Sequence, residues 1–205
     1  MRNIAEEIAY WYLRLNNFFL IENFVVHQGR RGTDQDFLAL RPLGAEEWVG
    51  GRKLQSDSVF DECSKSEAGE TSVTGALGLI VQVKGGTSSQ VDVGNVFSEE
   101  NLQYALHRFG IHEKDAVTAL QQGEPYTKLF GLTVCTMLFK RRGVNSEHEV
   151  GVTVDLEDAL EFLRRRAAEE AEERRKSKTD WHLFPTGVFQ YFLVEQQIHH
   201  ESAGE

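Results

Sequence analysis

The chain has 205 residues, 40% of them hydrophobic and 26% charged, a balance that supports one globular core and excludes global disorder. Lysine and arginine number 22 against 32 aspartates and glutamates, a formal net charge of −10. That excludes a broad basic surface coating nucleic acid, but leaves room for a small basic cleft or a metal on a carboxylate.

The elements follow in chain order. Ile8, Trp11, Tyr12 and Leu15 recur at spacings of three and four, which predicts a helix from Ile4 to Asn16, stopped at Asn16-Asn17. Phe18 to Val26 is dense in aromatic and β-branched residues and reads as a strand. His27 to Thr33 reads as a turn. Asp36 to Arg41 is a second strand, ended by Pro42 and paired with the first as a hairpin. Gly44 to Thr74 is polar and rich in turn signals, the most loop-like part of the chain. Ala76 to Lys84 is an apolar run with polar residues only at its far end, the pattern of a central strand buried on both faces. Gly85-Gly86 stops it.

Ser98 to Phe109 predicts a helix with acids in its first turn and Gly110 just past its end. Asp115 to Gln122 is a second short helix, Leu129 to Lys140 another buried strand, and Val150 to Val154 a shorter one. Asp155 to Lys178 is a long helix whose apolar stripe fades into a charge run, with Glu161/Arg165 and Glu170/Arg174 four apart in the favourable order. Trp181 to Ile198 reads as a last, aromatic-rich helix packing back on the core. The expected class is α/β with a mixed sheet flanked by helices. Residues 1–150 form the core and 151–205 a C-terminal helical extension.

Cys63 falls in a polar loop and Cys135 in an apolar strand, so free thiols in a cytoplasmic protein are expected rather than a disulfide scaffold. There is no run of 18 apolar residues, and Met-Arg-Asn-Ile-Ala-Glu-Glu carries acids where a secretion signal carries bases. The seven histidines make no metal pattern, His199-His200 lying in the tail, and Gly85-Gly86 lacks the sequel of a phosphate loop.

Three polar residues stand at strand ends, where α/β folds place their sites. Asp36 opens the second strand, and Gln82 and Lys84 close the third. Residues two apart on a strand share a face, so Gln82 and Lys84 project together. A carboxylate and an amide oxygen are ligands for a hard divalent cation. A lysine beside them suits the charge that develops when a phosphodiester is hydrolysed. Arg30, Arg31, Arg41, Arg52 and Lys53 are nearby in sequence as candidate phosphate contacts. Asp34 reads as a turn-capping acid and Glu22 as a candidate for the same pocket.

Asp-Phe-Leu-Ala-Leu followed by Leu-Ile-Val-Gln-Val-Lys-Gly-Gly resembles the core of the PD-(D/E)XK nuclease superfamily, which includes restriction endonucleases and Holliday-junction resolvases. There an Asp precedes one apolar strand and a Glu/Asp-x-Lys closes the next. The Gln-x-Lys form is similar to that of Mrr-type enzymes. The N-terminal helix extends the resemblance, with Glu6 (Glu7 as its rival) placed about eleven residues before the step into the first strand. It covers roughly residues 5 to 110 and looks like an uncharacterised bacterial branch.

The resemblance implies a restriction-endonuclease-like fold and a metal-dependent DNA nuclease of bacterial anti-phage defence or DNA repair. Mg2+ or Mn2+ would sit on Asp36, Gln82 and Glu6, and Lys84 would position or activate the water. DNA is the implied partner, with a protein partner or a homodimer in a defence complex, and no membrane. Gln82 stands where the family carries an acid, which implies weaker metal affinity. It also supports an alternative reading, a catalytically inactive subunit of the same fold in a larger complex. An RNA-binding or RNA-cleaving module is a third reading.

Overall fold

The computed structural model describes residues 3–28, 31–49, 51–62, 75–86, 90–128, 131–146, 150–177, 188, 191, 192 and 195, with side chains described except at 23–28, 31–34, 61, 62, 174, 175 and 177. Cys63 and the 199–200 histidine pair lie outside the described residues.

Helix α1 (Ile4–Arg14) starts because Asn3 caps it: its side chain accepts the Ala5 and Glu6 amides, and Glu6 reaches back to the Asn3 amide. It ends because Asn17 takes a left-handed conformation, φ 70°. The buried face of α1, with Ile8, Ala9, Tyr12 and Leu13, packs on the sheet beside α5 (Leu156–Ser177).

The central sheet runs β1-β2-β5-β8-β10, where β1 is Phe19–Gln28, β2 Arg31–Arg41, β5 Ala76–Lys84, β8 Leu132–Lys140 and β10 Val152–Asp155. β1, β2 and β5 are antiparallel neighbours, whereas β8 runs parallel to β5 and β10 parallel to β8. The sheet is therefore mixed. β7 (Tyr126–Lys128) pairs with the first residues of β8, on the side that β10 takes further along.

Two cores follow from the period-2 alternation of the strands. Phe37, Ala39, Leu77, Leu79, Val81 and Val83 are buried with α1 and α5 on one face. Leu38, Ile80, Val134 and Leu138 are buried on the other with α3 (Glu99–Arg108) and α4 (Lys114–Gln121). Each fully buried Leu, Ile or Phe contributes on the order of 2 kcal/mol. β10 belongs to the same sheet and Leu163, Ala167 and Phe192 to the first core, so residues beyond 150 complete the core.

Two stretches differ from their sequence reading. His27–Thr33 reads as a turn, yet β1 runs to Gln28 and β2 starts at Arg31, paired opposite each other, with Gly32 inside β2 opposite His27. Gly44–Thr74 reads as irregular, yet it holds a hairpin of β3 (Glu47–Val49) and β4 (Arg52–Leu54), then a turn of helix α2 (Val59–Glu62). Strands of three residues leave no periodicity to read. This hairpin is fixed from outside, by Glu47 against Arg166 of α5 at 3.3 Å and by Arg166 donating to the Gln55 carbonyl at 2.8 Å.

Candidate functional site

The site is built where β2 and β5 part. Their antiparallel register closes at Phe37↔Val81. Beyond it β2 continues with β1 as far as Arg31, while β5 continues with β8 as far as Lys84. Asp36 and Gln82 are the first residues past the last pair, on opposite prongs of this fork. Asp36 shares the face of Leu38, and Gln82 and Lys84 share the face of Ile80. All three therefore lie on the α3/α4 face.

The fork is bridged by a side chain. An oxygen of the Asp36 carboxylate accepts the Val83 amide at 2.6 Å, replacing the main-chain bond that ends with the ladder. That bond holds the carboxylate in place, as a charge-assisted bond to backbone does. Gln82 is 5% exposed, and its amide oxygen is buried without a hydrogen-bond partner. An orphaned buried acceptor is costly, about 1–3 kcal/mol, and is the group a cation would satisfy. Lys84 is half-buried and, among the described residues, makes neither hydrogen bond nor ion pair.

Lys84 stands opposite Lys140 in the parallel β5–β8 register. Lys140 is committed, its ammonium donating to the Val144 carbonyl at 2.6 Å and lying 3.4 Å from Asp155. One lysine of the row is thus neutralised, and the other has no partner among the described residues. Sequence reasoning passed over Lys140 although it carries the same signal as Lys84, a base ending an apolar strand.

Glu6 is placed differently from the other three. Its helix packs on the α1/α5 face, and its carboxylate accepts from the Asn3 amide and side chain as the return half of the capping box. The first turn of α1 nevertheless reaches the end of β5, since a Cβ on Gly85 would lie 2.6 Å from the Ala5 Cβ. Glycine follows Lys84 because the helix approaches that closely. Glu7 accepts from the Trp11 indole at 2.9 Å. Glu22, opposite Phe37, lies on the face away from Asp36.

The other basic candidates do not converge on the fork. Arg41 lies at the far end of β2, its guanidinium 5.4 Å and 5.3 Å from the Phe18 and Phe60 ring centres. Lys53 pairs with Glu46, and Arg52 is exposed on the same hairpin. The side chains of Asp34 and Arg31, and all of Arg30, lie outside the described residues.

Two polar features had no signal in the sequence. Gln35 is fully buried back-to-back with Asp36, with neither amide atom bonded. A cleft of about 220 Å3 between α3 and α4 is lined by Glu99, Gln103, His107, His112 and Glu113 among others, and by none of the fork residues.

Among the described residues no three His, Cys, Asp or Glu side chains come together to hold a metal. The fork offers one carboxylate and one amide oxygen, the sparse protein donor set on which magnesium relies when substrate phosphate and water complete the shell. Comparison of the chain with protein-family models, curated proteins and solved structures finds no match in any of the three.

Proposed function

We propose that the chain is a restriction-endonuclease-like enzyme that hydrolyses DNA phosphodiester bonds with a divalent cation, Mg2+ or Mn2+, at the β2/β5 fork. The observation that carries this reading is the convergence of Asp36, Gln82 and Lys84 on one face of the fork, with the Gln82 oxygen unsatisfied. Asp36 and Gln82 would hold the ion. When bound, it supplies Lewis-acid polarisation of the phosphate and a more acidic water.

The chain's own residues do the rest. The Val83 amide fixes the Asp36 carboxylate. Lys84, without an ion pair among the described residues, offsets the extra negative charge of the pentavalent transition state and orients the attacking water. A role in bacterial anti-phage defence or DNA repair, in the cytoplasm, rests on the resemblance of the motifs. Among the described residues no helix is long and apolar enough to cross a membrane.

Cleavage of supercoiled plasmid in Mg2+ or Mn2+ tests the reading. Wild type nicks or linearises the plasmid, and Asp36→Ala and Lys84→Ala each lose about 100-fold or more. Equal rates in all three chains would overturn the assignment.

A second reading, an inactive nuclease-fold subunit, is favoured by one observation: the Glu6 carboxylate is spent on the helix cap, leaving Asp36 as the single acid at the fork among the described residues. It predicts no cleavage by any of the three chains.

A further inference from the structure

The edge strand β1 carries an inference about assembly. Among the described residues its backbone is paired on one side only, with β2. Edge strands of soluble proteins are normally short, or blunted by lysine, proline or a bulge, because a bare row of N–H and C=O groups is a template for another strand. β1 is ten residues long, Phe-Leu-Ile-Glu-Asn-Phe-Val-Val-His-Gln, with no lysine, proline or glycine. Phe19 is 64% and Ile21 56% exposed, and Leu40, cross-strand from Phe19, is 38% exposed. Three apolar side chains thus stand in solvent beside an open ladder.

We propose that β1 is a self-association edge: a second copy of the chain pairs with it antiparallel, β1 against β1, about a two-fold axis normal to the sheet. A copy of itself fits because the strand is self-complementary. Such an axis keeps both sheets facing the same way, so each residue opposes one of the same facing. Centred on Asn23, it aligns nine residues, 19 to 27, and sets Ile21 against Val25. Its one acid, Glu22, then opposes Phe24 and not its own symmetry mate, so the −10 of each chain is not concentrated in the ladder. The ladder is about 30 Å long and covers less than the roughly 800 Å2 per partner of a standard interface. Dissociation is therefore expected in the micromolar range.

The pairing has a consequence that rests on the nuclease reading. Asn23 lies between the pairs Glu22↔Phe37 and Phe24↔Gln35 and is level with Asp36. A two-fold axis there sets the two Asp36 residues three strand spacings apart, about 14 Å. Both sites then open on the same face, a placement suited to the two strands of one duplex.

Sedimentation equilibrium of the full chain between 1 and 200 µM tests the interface. Wild type should approach 46.6 kDa, twice the 23.3 kDa of one chain, and Asp36→Ala should do the same, which separates this result from any failure of catalysis. Phe19→Lys and Ile21→Lys, at exposed positions, should raise the dissociation constant at least tenfold, whereas Trp48→Lys, exposed on β3, should not change it. Amide exchange of β1 in wild type should slow as concentration rises, independently of any variant. A 23.3 kDa species throughout, an open series of larger species, or a dimer indifferent to both β1 variants would overturn the proposal.

Discussion

Glu47 shows how much one half-buried residue sets. It holds the β3–β4 hairpin to α5 through Arg166, which is 2% exposed. Burial pushes its carboxyl up to about 7, and Glu170 and Glu169 push the same way, against Arg166 and Arg14. The folded chain therefore holds this proton more tightly than the unfolded one, whose carboxyl titrates near 4.5. Stability from this group is fully present below pH 4.5 and is lost as pH rises through 7. Discounted for partial solvent access, the loss is about 1–2 kcal/mol. Urea denaturation at pH 5.5 and 8.5 should show wild type weakening by that amount, and Glu47→Gln should flatten the difference. Identical pH slopes would remove the argument. At the fork, Gln82→Glu would add the second carboxylate that Asp36 lacks. It should tighten Mg2+ by roughly tenfold in calorimetric titration, since ligand charge governs affinity for hard cations, and raise plasmid cleavage with it. The shared face of Asp36, Gln82 and Lys84 is legible because strand alternation assigns faces without a structure. The capping role of Glu6 is legible too, because Asn3-x-x-Glu6 is itself a capping-box signature.

At the scale of elements, what the sequence conveys is periodicity and what it hides is contact between elements. α1, α3, α5, β5 and β8 are long enough to carry their pattern and fall where expected to within three residues. The hairpin at 47–54 and β7 are three-residue strands, placed by neighbours rather than by propensity. The fork is of the same kind: nothing local announces that β2 and β5 separate after Phe37 and Val81. Gly85 marks the result, because it is where α1 presses on the end of β5. Gly85→Ala puts a methyl 2.6 Å from the Ala5 Cβ, so helix or strand end must shift. A cost of about 1–3 kcal/mol is expected, as for other overpacked sites, read as a lower thermal midpoint. Cleavage should fall more than the lost folded fraction explains, because Lys84 is the adjacent residue. Wild-type stability and rate in this variant would show that α1 does not constrain the site.

At the scale of the whole molecule, the nuclease reading must account for how a chain of net charge −10 would hold a polyanion. Part of the acidity is local. The helix from Leu156 to Ser177 pairs its acids internally, as Lys176 does with Glu172 and Glu173, and Arg142 binds Asp155 and Asp158 at its start. At the fork the balance differs: Lys84 has no ion pair among the described residues, Arg141 is exposed just past Lys140, and the Asp36 carboxylate is half-buried. The number of phosphates such a patch neutralises is small, about two or three. Affinity should therefore fall only gently with salt, with a logarithmic slope of roughly −2 to −3 rather than the −6 or steeper of a protein with a broad basic face. Under that reading, long-range repulsion should dominate without a divalent ion and binding should be weak. An ion on Asp36 and Gln82 removes charge from the protein at the point where phosphate approaches. Fluorescence anisotropy of a labelled duplex between 50 and 200 mM salt, with and without Mg2+, should show both the shallow slope and the metal dependence, and Asp36→Ala should abolish only the latter. Tight, metal-independent binding with a steep slope would place the DNA on some other surface, and the fork would then lose its role as the contact point.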